Sequence, residues 1–145
     1  MATTTASLSI TSSDLFEDNL SISTSTTLKK AGLTAGLDLT TGLNRIYLTA
    51  TTNVDIVTVP GATKDGKQNF VYIANLSEIA SEFLIVSIGD KVIGRLYAGD
   101  FMWMPWNQQA QHLSDLEIAP SVATGMWVEH MIVGEGLVKT SSADS

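Results

Sequence analysis

Apolar and polar residues alternate with a period of two along much of this chain, and no stretch longer than about one turn carries the 3.6-residue repeat of a helix. From Arg45 onward the apolar runs are short and punctuated by Gly, Asp, Asn or Pro, the pattern of strands joined by turns. "RIYLTATT" and "VDIVTV" read as the first two strands, the second closed by Pro60-Gly61. "GATKDGKQN" reads as a solvent-facing hairpin turn built on Asp65-Gly66, a pair suited to positive backbone angles. "FVYIANL" follows, then "EFLIVSIGDKVIGRLY", where Gly89-Asp90 is a two-residue connection between two strands. "FMWMPW", "LEIAP" and "GMWVEHMIVGEG" complete the set. "SEIASEFL" offers at most a single helical turn, because Ser77 is followed three residues later by Ala80 rather than Glu or Gln.

The first fifty residues differ. "NLSISTSTTL" sets Leu20, Ile22, Thr24, Thr26 and Leu28 against Ser21, Ser23, Ser25 and Thr27, which predicts a surface strand or an arm with one weakly apolar face. Over residues 29–44, Gly32, Gly36 and Gly42 interrupt any helix, so this part reads as a long loop pinned by leucines. The expected organisation is therefore an extended arm and glycine-rich loop over 1–44, a β domain over 45–136 and a flexible polar tail over 137–145. Some nine strands at this spacing predict an all-β fold, an antiparallel β-sandwich or jelly roll with an extended Ser/Thr-rich N-terminal arm.

Three runs break the inside-outside rule for a half-exposed sheet. In "FMWMPW", Phe101, Trp103 and Pro105 point one way, Met102, Met104 and Trp106 the other, and both faces are apolar. "FLIVSI" sets Phe83, Ile85 and Ser87 against Leu84, Val86 and Ile88, and "MWVEHMIV" sets Met126 and Val128 against Trp127 and Met131. One core uses one face, so the second faces need cover from the N-terminal arm or from other subunits. Trp103 is the tryptophan expected in the core, and Trp106 and Met104, beside a proline that marks a sheet edge, are left open between core and interface. The candidate subunit interface is Tyr97, Met102, Trp103, Met104, Trp106, Trp127 and Met131, and the candidate arm contacts are Leu20, Ile22 and Leu28.

Composition narrows the function classes. Charged residues make up 16% of the 145 residues, well below the usual quarter, and Ser and Thr fill twenty of the first fifty-two positions. Net charge is −7, with eight scattered Lys and Arg, which argues against phosphate-backbone binding and so against nucleic acid. The chain has no cysteine, hence no disulfide or thiolate chemistry. "MATTTASLSITSSD" lacks the basic start and apolar run of a signal peptide, and no run has the length of a membrane span. The expectation is a protein made in the cytoplasm that stays soluble or assembles there into something larger.

Catalytic signatures are missing. There is no phosphate-binding loop and no nucleophile elbow. His112 and His130 would need Asp115, Glu117 or Glu129 to converge on them to make a zinc site, and Glu117 with Glu129 would need to face each other across paired strands to make a carboxylate couple. Neither is assigned: no catalytic, cofactor-binding or metal-ligating residue is expected, and no cofactor. A carbohydrate-binding module is the competing reading, since "GDFMWMPWNQQAQ" combines aromatic rings with Asp, Asn and Gln.

The segment "FVYIANLSEIASEFLIVSIGDKVIGRLYAGDFMWMPW", followed by "LEIAPSVATGMWVEHMIV", resembles small virion structural proteins of tailed bacteriophages, particularly T4-like marine and cyanobacterial phages. The matching positions are Leu96, Gly99, Asp100, Trp103, Pro105, Pro120, Ser121, Ala123, Thr124, Val128 and Glu129, and the stretch from Leu20 to Leu48 also looks like the start of such proteins. The resemblance implies a non-enzymatic part of a virus particle, located in the virion. A capsid decoration or cement protein is the leading expectation, a homo-oligomer with a trimer favoured, bound to the major capsid protein or other virion proteins. A tail, neck or fibre-associated component is the alternative.

Overall fold

The computed structural model describes residues 3–15, 19–37, 39–58, 68–106, 115–135 and 139–140. Among them there are only strands, turns and connecting loops. Twelve strands follow one another: β1 (Thr5–Ser12), β2 (Leu20–Thr27), β3 (Leu39–Thr40), β4 (Asn44–Leu48), β5 (Val54–Thr58), β6 (Asn69–Asn75), β7 (Phe83–Ile88), β8 (Lys91–Tyr97), β9 (Phe101–Pro105), β10 (Leu116–Pro120), β11 (Met126–Gly134) and β12 (Lys139–Thr140).

They form three antiparallel sheets. Among the described residues β1 and β2 pair only with each other, from Thr5 opposite Thr27 to Ser12 opposite Leu20. One five-stranded sheet has the order β12-β5-β10-β7-β8, and the other runs β3-β11-β6-β9, with β4 also paired to β11. β11 is long enough to hold two short neighbours on one edge, β4 along Met126 to His130 and β3 at Val133 and Gly134.

Period-two alternation explains the core. Ile56, Leu84, Val86, Leu96, Leu116 and Ile118 from the first sheet join Val71, Ile73, Met126, Val128 and Ile132 from the second, with Leu48 and Trp106, in one buried cluster. Each fully buried Leu or Ile contributes about 1.5–3 kcal/mol relative to exposure. A smaller cluster, Leu28, Leu37 and Val133, ties the start of the long loop to the second sheet, with Ala6, Phe70 and Met131 packed against it.

The turns use the expected residues. Gly89 has φ 60° and is the first central residue of the β7–β8 connection, as a type II′ hairpin requires. Gly99, at φ 86°, takes the chain from β8 in one sheet to β9 in the other, and the Asp100 amide donates to the Tyr97 carbonyl at 2.9 Å. The buried Asn75 side chain anchors this crossing, since its Nδ2 donates to the Leu96 carbonyl at 2.9 Å and its Oδ1 accepts from the Ser77 amide.

Several expectations change. Residues 77–82 make a turn rather than a helical turn, closed by the Glu82 amide on the Ile79 carbonyl. Within the predicted loop, Leu39–Thr40 is a strand, and within the predicted tail, Lys139–Thr140 pairs with β5. The Asp65-Gly66 turn and Pro60-Gly61 lie outside the described residues.

Candidate interaction surface

β9 is the edge of its sheet, and its burial alternates as the sequence predicts. The two tryptophans lie on opposite faces, and Trp103 is not the core residue expected. Trp106, left open between core and interface, is 2% exposed and part of the core cluster, whereas Trp103, expected in the core and also placed in the candidate interface set, is 38% exposed on the outer face. Met102 and Met104 share the inward side with Trp106 and pack against the core, so neither belongs to an outward-facing contact row. The reason is parity: residues two apart share a face, and the face opposite β6's Val71 and Ile73 is the one that meets the first sheet.

The outer face of the β3-β11-β6-β9 sheet is built by cross-strand neighbours. Met131 lies opposite Tyr72, and Tyr72 opposite Trp103. Glu129 lies opposite Ala74, which faces Phe101, itself 64% exposed. Phe70 and Trp103 stack, with ring centroids 5.2 Å apart and planes within 6°. Toward the other edge Trp127, 50% exposed, leans on Tyr47 at 4.9 Å. The Tyr47 ring passes over Gly125, where a Cβ would overlap it, and its hydroxyl donates to the Thr124 carbonyl at 3.3 Å.

One ion pair, Glu129 with Arg45, sits in this aromatic field. The Glu129 carboxylate accepts from the Tyr72 hydroxyl at 3.0 Å and from Arg45 Nε at 3.0 Å. Burial, then the hydrogen bond and charge of Glu129, push the Tyr72 phenol above its ordinary value of 10.0, with Arg45 acting against them. Tyr72 is therefore held as a donor, and the carboxylate is kept occupied on both oxygens.

The hairpin stands over this face. Its register places Leu8, Ile10, Leu20 and Ile22 on one side and Ser7, Ser9, Thr11, Ser21 and Ser23 on the other. A groove of about 1240 Å³ lies between hairpin and sheet, walled by Thr4 to Thr11 and Thr24 to Thr26 on one side and by Leu43, Tyr72, Phe101, Trp103, Glu129 and Met131 on the other. Of the candidate arm contacts, Leu20 and Ile22 lie on the hairpin's apolar side. Leu28 does not: it is buried in the chain's own second cluster, because the Leu28 amide donates to the Thr4 carbonyl and the Leu37 amide to the Leu28 carbonyl, closing the hairpin's base onto the loop.

Tyr97 falls elsewhere, on the outer face of the other sheet, where it pairs with Phe83 at 5.2 Å while the Arg95 guanidinium lies 4.3 Å over the Phe83 ring. The sequence-based interface set thus divides into an outer aromatic group (Trp103, Trp127, Met131), a separate Tyr97 patch and three inward residues.

The carboxylate couple does not form as a ladder pair, since Glu117 is on β10 and Glu129 on β11, in different sheets. Glu117 instead lies opposite Asp55, and burial, then the charge and hydrogen bond of Asp55 and the charge of Asp115, raise it above its ordinary 4.5. His130 is buried on β11, His112 lies outside the described residues, and among the described residues no three His, Asp or Glu converge as a metal site would require. Sequence reasoning missed Phe70, Tyr72, Tyr47 and Arg45. The alternation of Phe70 and Tyr72 with Val71 and Ile73 in "FVYI" was the available signal for the first two. A scan against known protein families finds none that matches this chain, and a search of curated proteins finds no match either.

Proposed function

We propose that this chain is a non-enzymatic virion structural protein, a capsid decoration or cement protein that binds the outer head lattice of a tailed bacteriophage and stabilises it as a homo-oligomer. The two five-stranded sheets with their common core are read as the layers of a β-sandwich, and the β1–β2 hairpin as the Ser/Thr-rich arm. The observation that carries the proposal is the outer face of the second sheet, where Tyr72, Phe101, Trp103, Trp127 and Met131 gather beside hairpin strands that carry no charged residue. Such a face suits repeated protein contacts, in which aromatic and methionine side chains are enriched and charges depleted. The resemblance of the segment from Phe70 to Trp106 to small phage structural proteins supports the same reading. A subunit that binds only the assembled shell stabilises it by mass action. The partners are the major capsid protein or other virion proteins, and the acidic surface, with net charge −7, fits neither nucleic acid nor an anionic membrane.

Quantitative mass spectrometry of purified particles tests the reading. A copy number comparable to the major capsid protein is expected. A few copies to a few tens would move the chain to the tail, neck or fibre, and complete absence would overturn the virion role. Removal of residues 1–27, which keeps Leu28, Leu37 and Val133 but takes away Ala6 and the Thr4 carbonyl beside them, is expected to weaken particle attachment while the two five-stranded sheets stay folded.

A carbohydrate-binding module is the second reading, favoured by the exposed rings of Phe101, Trp103 and Trp127 on one face. A glycan array comparing the chain with Trp103→Ala separates the two. Trp106→Ala would not serve, since Trp106 belongs to the core.

A further inference from the structure

We propose that the groove between the β1–β2 hairpin and the outer face of the β3-β11-β6-β9 sheet receives the hairpin of a second copy of this chain. The inference rests on the homo-oligomer part of the reading above and names the surface that would build it.

The shape of the groove sets the size of its occupant. At about 1240 Å³ it exceeds the ~300–1,000 Å³ of small-molecule pockets, and it follows the strands from Thr4 to Thr11, so it is long rather than compact. An extended chain segment fits that form. Its walls are apolar side chains, Leu8, Ile10, Leu43, Phe101, Trp103 and Met131, set among Ser and Thr.

Charge selects the kind of segment. Copies of a chain with net charge −7 repel one another over most of their surface. Of fifteen acidic residues in the sequence, Glu129 alone appears among the described residues lining the groove, and Tyr72 and Arg45 already occupy its oxygens. Neither β1 nor β2 contains a charged residue, and the hairpin's acidic residues, Asp14, Glu17 and Asp18, fall in the connection between them, away from the paired strands in sequence. The paired strands of the hairpin and the groove are therefore surfaces through which two copies meet with little repulsion, and a strongly basic or acidic segment would find no counter-charge there.

The hairpin also needs what the groove offers. A lone two-stranded hairpin is marginal in water, and among the described residues each of these strands has a partner on one edge alone. Leu8, Ile10 and Ile22 remain more than 40% exposed. The chain's own hairpin, held at its base by Leu28, forms one wall of the groove and leaves the space beside it open. A second hairpin in that space would lay its apolar side against Trp103 and Met131.

The absence of cysteine from the chain makes the test direct. Ile10→Cys and Met131→Cys are prepared separately with different tags, mixed under mild oxidation, and compared with a control mixture of Ile10→Cys and Val92→Cys, Val92 being exposed on β8 of the other sheet. Light scattering reads the mass of each protein, and particle attachment is assayed in parallel. The mixed Ile10–Met131 disulfide is expected to dominate, with little product in the control, and Ile10→Asp is expected to reduce the oligomer to monomer. An oligomer without the mixed disulfide would overturn the inference while leaving the homo-oligomer reading intact. A monomer that still attaches to particles would overturn it and assign the hairpin to a capsid partner. Loss of attachment with the disulfide retained would instead contradict the virion reading alone. If Ile10→Asp fails to fold, the cysteine pair decides.

Discussion

Strand β6 and the strands of the β1–β2 hairpin are similar in length, seven and eight residues, and opposite in circumstance. β6 has β11 on one edge and β9 on the other, and its Val71 and Ile73 are fully buried between the sheets. Among the described residues β1 and β2 have only each other, and more than half of each is Ser or Thr, with few large side chains to bury. The difference teaches what each sequence is suited to do. Alternating Val, Ile, Phe and Tyr make a strand stable within one chain, whereas alternating Ser and Thr with sparse Leu and Ile make one that stays soluble alone and gains most from a partner.

The largest effect is expected where the body's core is opened. Trp106→Ala should cost about 3–5 kcal/mol in urea unfolding, because it empties a filled site in the shared core. Trp103→Ala, on the outer side of the same β9 surface, should cost only about 1–2 kcal/mol, mainly from lost stacking on Phe70. Equal losses would erase the distinction between core face and contact face.

Tyr72→Phe is expected to come next. It removes a hydrogen bond to the Glu129 carboxylate, worth about 1.5–3 kcal/mol for a charged acceptor, without changing the ring that lines the groove. An unchanged urea midpoint would mean that the carboxylate draws its support from Arg45 alone.

The smallest effect concerns Glu117, far from the hairpin. Its carboxyl is raised above 4.5 in the folded protein, so the proton is held more tightly folded than unfolded. The stability this confers is complete below 4.5 and is lost as the pH climbs through the raised value. Glu117→Gln should therefore flatten that decline and melt slightly above the parent at neutral pH, in thermal scans from about pH 4 to 7. A variant that parallels the parent throughout would contradict the assignment.

Much of the body was legible in sequence. β4 to β11 follow the apolar runs, and the Gly89-Asp90 and Gly99-Asp100 turns fall where small residues allow positive φ. Period two also grouped Phe101 with Trp103 and Met102 with Met104 and Trp106. It could not say which group is inside, because both are apolar and alternation carries no sign. Sheet membership was equally hidden: "LEIAP" and "GMWVEH" are neighbours in sequence, yet residues 121–125 carry the chain across from one sheet to the other, so Glu117 and Glu129 never share a ladder. β3 and β12, two residues each, are too short to leave a pattern. The pairing of β1 was masked by Ser and Thr, which suit strands and loops alike. On the outer face of the second sheet, Trp103, Trp127 and Met131 were singled out by composition, although Trp103 was also weighed for the core, while the Tyr72–Glu129–Arg45 group needed three strands brought side by side.

The central claim is that the hairpin and the outer face of the second sheet are one contact surface. Hydrogen–deuterium exchange across a dilution series tests it most directly, because local protection reports whether a backbone segment is covered. Amides of Thr5–Ser12, Leu20–Thr27 and Phe101–Pro105 are predicted to gain protection as concentration rises, while Val71 and Ile73 stay protected throughout. Hairpin protection that is the same at every concentration, and the same again on assembled particles, would contradict the account.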